Sequence, residues 1–204
     1  MRCPFIFAVN YSSIKKIKTM KMKLTTFAVV IATVALFASC KKDDKNNSNP
    51  SSSNITAGQC TISFDTDKDF NGTTSVSIAA SATTSAVRAN NNTKDQLTLT
   101  AAGYSGTSVS TASLTVYVDA GATTSNGNIS ADFNSSTSND VAVLTINRTN
   151  GSGSSAAYSS KTGTVTITKL TTSEVEGTFS CNAVNESSNT SINVSNGKFA
   201  GKFK

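Results

Sequence analysis

The 204-residue chain contains no histidine and no tryptophan, and its two prolines, Pro4 and Pro50, both precede residue 57. Without histidine neither a Ser-His-Asp nor a Cys-His nucleophilic system can be assembled, and a zinc site would have no imidazole. The four cysteines, Cys3, Cys40, Cys60 and Cys181, are too few and too scattered for a thiolate cluster. Lack of tryptophan removes the usual platform for a sugar ring. Tyr104 and Tyr158, beside glycine-rich turns, remain as candidate exposed aromatics, whereas Phe64, Phe179 and Tyr117 fit core positions equally well. Long apolar runs are also scarce. The one that stands out, Leu24 to Ser39, has 16 residues, short of the roughly 20 needed to span about 30 Å of hydrocarbon.

That run has a different meaning. Met22-Lys23 precede it, small residues Ala38-Ser39 end it, and Cys40 follows at once. A basic start, an apolar stretch, a small-residue cleavage site and a cysteine make a lipoprotein signal peptide, with Cys40 as the lipidated first residue of the mature chain. Phe37 stands where the strictest form of the motif has leucine, a departure that lipoproteins of the Bacteroidota tolerate. Met20 or Met22 is the more natural start, so the first 19 residues read as an upstream extension. Stable anchoring needs more than one acyl chain, which palmitate-type triacylation of Cys40 supplies. Asp43-Asp44 resembles the surface-export signal of lipoproteins in the same phylum. The expected location is therefore the bacterial outer membrane, exposed at the cell surface, with the periplasmic face as the alternative.

The signal also corrects the charge. The whole chain carries a formal +6, but six of its 18 basic residues precede Cys40, leaving 12 against 12 acidic ones. A near-neutral mature protein offers no basic patch for nucleic acid. The membrane, through the lipid, is the expected partner. Residues 1–39 thus form the signal segment and 40–56 a Lys/Asp/Asn/Ser-rich tether that buries too little to offset its ordering entropy. The domain proper is 57–204.

Within the domain Thr, Ser, Val and Ile dominate, a balance that favours strands. Apolar and polar positions alternate repeatedly between turn residues: Cys60, Ile62, Phe64; Val76, Ile78; Leu97, Leu99, Ala101; Leu114, Val116, Val118; Val165, Ile167; Val175, Gly177, Phe179, Cys181. Around Val141 to Ile146 both phases are apolar, which marks a central strand. Asn196-Gly197, between Ile192-Val194 and Phe199-Phe203, predicts a two-residue hairpin turn. Nine or ten short strands without a convincing helix imply an all-β fold. The expectation is an antiparallel β-sandwich, with a closed, lipocalin-like β-barrel as the alternative.

The last third carries a resemblance. Tyr158 to Leu170 reads Y-S-S-K-T-G-T-V-T-I-T-K-L, Val175 to Val184 reads V-E-G-T-F-S-C-N-A-V, and Ile192 to Phe199 reads I-N-V-S-N-G-K-F. These stretches resemble a family of uncharacterised Bacteroidota lipoproteins with a G-x-V-x-I-T-K strand, a G-T-F-S-F-x-A strand and a closing N-G-x-F. Cys181 stands where that family usually has phenylalanine. The resemblance implies an extracytoplasmic β domain and brings no catalytic residues with it.

Candidate sites are few. Asp67, Asp69, Asn71 and Gly72 reproduce the D-x-D-x-N-G start of a calcium loop, but Ile78 occupies the twelfth position, where a bidentate Glu belongs. A solvated turn stabilised by Asp and Asn side chains is the competing reading. Cys60 and Cys181 both fall on apolar phases, either joined as a disulfide outside the cytoplasm or separate as buried thiols. Asp119, Asp132, Asp140, Glu174, Glu176 and Glu186 include no pair selected by spacing for glycoside hydrolysis. The Asn-x-Ser/Thr triplets at Asn54, Asn71, Asn128, Asn147 and Asn193 follow from a Ser/Thr/Asn-rich composition. No cofactor is called for. The sequence thus supports a non-enzymatic surface domain binding a glycan, protein or small ligand, or else a structural or shielding envelope protein.

Overall fold

The computed structural model describes residues 51–68, 74–105, 108–134, 140–149 and 155–204. Ten strands run β1 (Cys60–Thr66), β2 (Ser75–Ile78), β3 (Thr84–Asn91), β4 (Lys94–Ser105), β5 (Ser108–Asp119), β6 (Ile129–Phe133), β7 (Val141–Thr149), β8 (Ser155–Leu170), β9 (Glu174–Asn185) and β10 (Thr190–Lys202). All belong to one sheet of order β2-β1-β10-β9-β8-β6-β7-β5-β4-β3, with β8 also pairing β7. Every ladder among the described residues is antiparallel except the short β6–β7 contact. The 16-residue β8 makes the continuity possible: its start pairs β7 and its later part pairs β6, while β9 takes its other edge.

The alternation read from sequence becomes a single buried face. Ile62, Leu97, Leu99, Leu114, Val116, Leu144, Val165, Ile167, Val175 and Phe199 are all fully buried, and they form one continuous cluster with their neighbours. In β7 the inward set is Ala142, Leu144 and Ile146, so the valines at 141 and 143 lie on the outer face. Strand β7 is indeed interior, flanked by β5 and by β6/β8.

The two ends of the sheet curl towards each other. A Cβ on Gly201 of β10 would lie 3.0 Å from both Ala86 of β3 and Leu99 of β4. Nevertheless the barrel expected as the alternative is not formed: among the described residues no ladder joins β2 to β3. Strand β2 has four residues, and the gap beyond it is spanned instead by side chains and by the segment preceding β1.

The hairpin expected at Asn196-Gly197 is a correction. Strand β10 runs straight through these residues, and its register against β9 shifts between Val194 and Gly197. Asn196 adopts φ 51°, a conformation asparagine tolerates, and the result is a β-bulge. Its effect is to switch phase. Ile192 and Val194 point inward before it, Phe199, Gly201 and Phe203 after it. A Cβ on Gly197 would meet the Phe179 ring at 2.6 Å and the Phe179 carbonyl oxygen closer still, so only glycine fits. The pattern that resembled a turn is a crowded point within a strand.

Candidate functional site

The connections sort the molecule into two poles. At one, β4 starts opposite the end of β5 (Lys94 with Asp119), and β9 leaves β8 near Leu170. The chain also arrives there: Gly58 donates to the Lys202 carbonyl at 2.6 Å, and the Lys202 N–H donates to Gln59 at 3.0 Å. At the other pole lie the ends of β1 (Thr66), β4 (Ser105), β7 (Thr149) and β9 (Asn185).

A buried ion pair caps the first pole. Arg88 and Asp95 lie on the inward phases of β3 and β4, just past the apolar layer. Arg88 donates to Asp95 from Nε at 3.0 Å and from Nη2 at 2.5 Å, and to the carbonyls of Thr171 and Ala122 at 2.7 and 3.1 Å. Asp95 also accepts from Asn90 Nδ2 at 2.8 Å and from the Gly121 N–H at 3.0 Å. Burial by itself would raise the Asp95 pKa, but Arg88, Asn90 and Gly121 outweigh it and hold the carboxyl below its ordinary value. The network ties three connections together. It was missed from sequence because an arginine and an aspartate seven positions apart on two strands look like ordinary surface charges; only the period-2 phase (Thr84, Ala86, Arg88; Asp95, Leu97, Leu99) marks them as inward.

Five of the six carboxylates considered for hydrolysis are engaged by lysines. Lys94 bridges Asp119 and Asp140 at 2.7 and 3.0 Å. Lys169 lies 2.6 Å from Glu174 and 3.4 Å from Glu176, and Lys161 contacts Glu186 at 2.5 Å. Hydrogen bonding to Lys169 lowers the Glu174 pKa, and that to Lys161 lowers the Glu186 pKa. A glycosidase acid needs a shift upward. Asp132 lies apart, in β6, 3.5 Å from the Thr164 hydroxyl.

Of the calcium candidates, Asp69 and Asn71 lie outside the described residues. Asp67 turns both carboxylate oxygens on Asn193, accepting from its N–H and its Nδ2 at 2.7 Å each, and these bonds lower its pKa. Among the described residues no three His, Cys, Asp or Glu side chains cluster in a way that could hold a metal ion. The arrangement is a carboxylate pinning the end of β1 to β10. With both Asp67 oxygens taken by Asn193, calorimetry should show no calcium uptake below about 1 mM, the weak limit for extracellular modules, and identical isotherms for Asp67→Ala. Saturable uptake lost in the variant would establish a site.

The cysteine pair is resolved as two separate thiols. Both are free and buried, and burial pushes each up to about 12. Cys60 is in register with Gly201, whereas Cys181 is in register with Val194, which pairs Thr66. Thr66 is six residues along β1 from Cys60, about 20 Å at roughly 3.3 Å per residue, far beyond the reach of a disulfide. The Cys60 thiol donates to the carbonyls of Ser85 and Thr100 at 3.3 and 3.4 Å.

The aromatics separate as well. Tyr104 is 59% exposed, on the outer face of β4 next to the far pole. Tyr158 instead packs against the core, opposite Ile146, so the two form no common platform. Phe64, Phe179 and Phe199 make a buried row with ring centres 6.2 and 6.3 Å apart. Further along the same outer face, β4 and β5 carry hydroxyls in register: Thr98 lies 3.4 Å from Thr115 and Thr100 lies 3.2 Å from Ser113. No family model, curated protein or solved structure matches this chain.

Proposed function

We propose that this chain is an extracytoplasmic lipoprotein of the bacterial outer membrane, anchored through Cys40 and exposed at the cell surface. In this reading residues 57–204 are a non-enzymatic binding domain for a glycan, protein or small ligand. The observation that carries the proposal is the signal segment ending in Ala38-Ser39-Cys40, followed by a near-neutral chain. One feature of the fold supports it. The histidine-free domain has its Glu174 and Glu186 carboxylates held low by lysines, which suits binding better than catalysis. The finer architecture belongs to the same reading: the curled sheet is a two-layered β-sandwich, supported by the approach of Gly201 to Ala86 and Leu99. The motifs of the C-terminal third, which resemble those of uncharacterised Bacteroidota lipoproteins, support the same reading.

A structural or shielding envelope protein is the second reading, favoured by the uninterrupted side-chain packing of the inward phases. Labelled palmitate should enter the wild-type protein, and Cys40→Ala should abolish labelling. Protease added to intact cells should then cleave the wild-type chain if it faces outward. Unchanged labelling in the variant removes the anchor.

A further inference from the structure

Residues just before β1 were read from the sequence as tether, yet they are packed. Ser52 is fully buried and Ile55 nearly so. Ser52 opens a 3-10 turn, Ser52–Asn54, and donates to Glu176 Oε1 from its N–H at 2.9 Å and from its hydroxyl at 2.6 Å. Lys169 Nζ closes the contact at 3.2 Å from the same hydroxyl. Glu174 and Lys202 complete the charged surroundings.

Further along, Gly58 bridges β10 and the edge strand β3. Its N–H donates to Lys202 in β10, and its carbonyl accepts from the Ala86 N–H in β3 at 3.0 Å. Next to it the Cys60 N–H donates to the Thr84 hydroxyl at 3.2 Å. Gly58 has φ +83°, and a Cβ there would lie 2.7 Å from Lys204 Cε. The segment therefore crosses the seam that no ladder closes, fixed at one end to the β9 surface and at the other to β3 and β10.

We propose that residues 52–59 form a strap that holds this seam shut, and that releasing Ser52 from Glu176 opens the seam locally and uncovers Cys60. A pull from the N-terminal side reaches the Ser52–Glu176 contact first, Gly58 next and the Cys60 region last. The strap is thus the element through which tension on the preceding chain is felt by the domain. Cys60 is its built-in reporter, because its thiol lies beneath the seam on β3 and β4 carbonyls, while Cys181 lies elsewhere on β9.

The test uses the full-length chain in detergent micelles, with Ser52→Ala, Glu176→Ala and Glu176→Gln variants. Alkylation of each cysteine is followed by peptide mass spectrometry, alongside native-state hydrogen exchange of the Ala86 and Leu114 amides. Ser52→Ala and Glu176→Ala should speed Cys60 alkylation and Ala86 exchange at least tenfold, with Cys181 and Leu114 unchanged. Glu176→Gln keeps the acceptor for Ser52 and should restore most of the protection. Unaltered Cys60 and Ala86 rates in Glu176→Ala, which removes the acceptor of both Ser52 bonds, would show that the contact locks nothing. Equal acceleration of Cys60 and Cys181 would show a global opening instead, and either result overturns the proposal. Should Glu176→Ala fail to fold, Ser52→Pro, which lacks both donors and suits the first position of the turn, decides alone.

Discussion

Asp95→Ala is expected to destabilise the domain by about 3–5 kcal/mol, the usual consequence of removing one partner of a buried ion pair. Arg88 would be left beneath the β5–β6 and β8–β9 connections with two carbonyl contacts and no counter-charge, and the Gly121 N–H and the Asn90 amide would lose their acceptor. For a domain of this size that is a fall of roughly 10 °C in Tm, at about 2–4 °C per kcal/mol. The pH dependence carries a sign. The Asp95 pKa is lower in the folded state than its ordinary value, so the folded state binds the proton less well than the unfolded one. Its contribution is complete above the unfolded value near about 4 and is lost as pH falls through the folded value. The stability gap between wild type and Asp95→Ala should therefore be constant near neutrality and shrink in acid. Thermal unfolding at several pH values checks both parts. A shift below about 1 kcal/mol at pH 7 would mean that the pair is solvated and the pole open.

Phe199→Ala is the second large expected effect. Phe199 is fully buried, its ring centre lies 6.3 Å from that of Phe179, and one edge reaches the face of Gly177. Removing such a ring costs about 3–5 kcal/mol through lost transfer energy and the cavity left behind. The neighbours have little room to close in, because Gly177 has no side chain and Phe179 is already wedged against Gly197. A loss of that size is a large fraction of the domain's stability, typically about 5–15 kcal/mol in all. Tyr104→Ala, on the exposed face, should change the unfolding midpoint by within about 0.5 kcal/mol and serves as the control. Comparable losses for both variants, read by denaturant unfolding, would contradict the inward phase assigned to β10 beyond its bulge.

Strand β10 also shows how far the sequence could be read. The period-2 pattern identified Ile192, Val194, Phe199 and Phe203 as core residues, and all four are buried. What it could not supply was the reason for the change of phase between them. A hairpin and a bulge can both set an asparagine before glycine at positive φ, as Asn196 is here, and the choice depends on which strands stand on either side. Here β1 and β9 flank β10 along its length, so the chain has partners to continue beside and no need to turn back. Strands β3 and β6 were not read for a related reason. Their inward positions are Thr84, Ala86 and Arg88 in one and Ala131 and Phe133 in the other, an apolar signal too thin to separate from a Ser/Thr-rich connection.

The site candidates divide along the same line. Histidine's absence and the apolar setting of Cys60 and Cys181 are properties of composition and local alternation, and the sequence determined them alone. Whether the two cysteines could meet depended on strand order, because β10 intervenes and the register displaces them along the strands. Whether Arg88 met Asp95, and whether Ser52 belonged to a tether or to the sheet, depended on which connections converge at one pole. Alternation along a strand is encoded by neighbours two residues apart and survives in the sequence as a pattern. Strand order, the convergence of the poles and the crossing of the seam at Gly58 arise between residues tens of positions apart, where only the folded sheet brings donor and acceptor together.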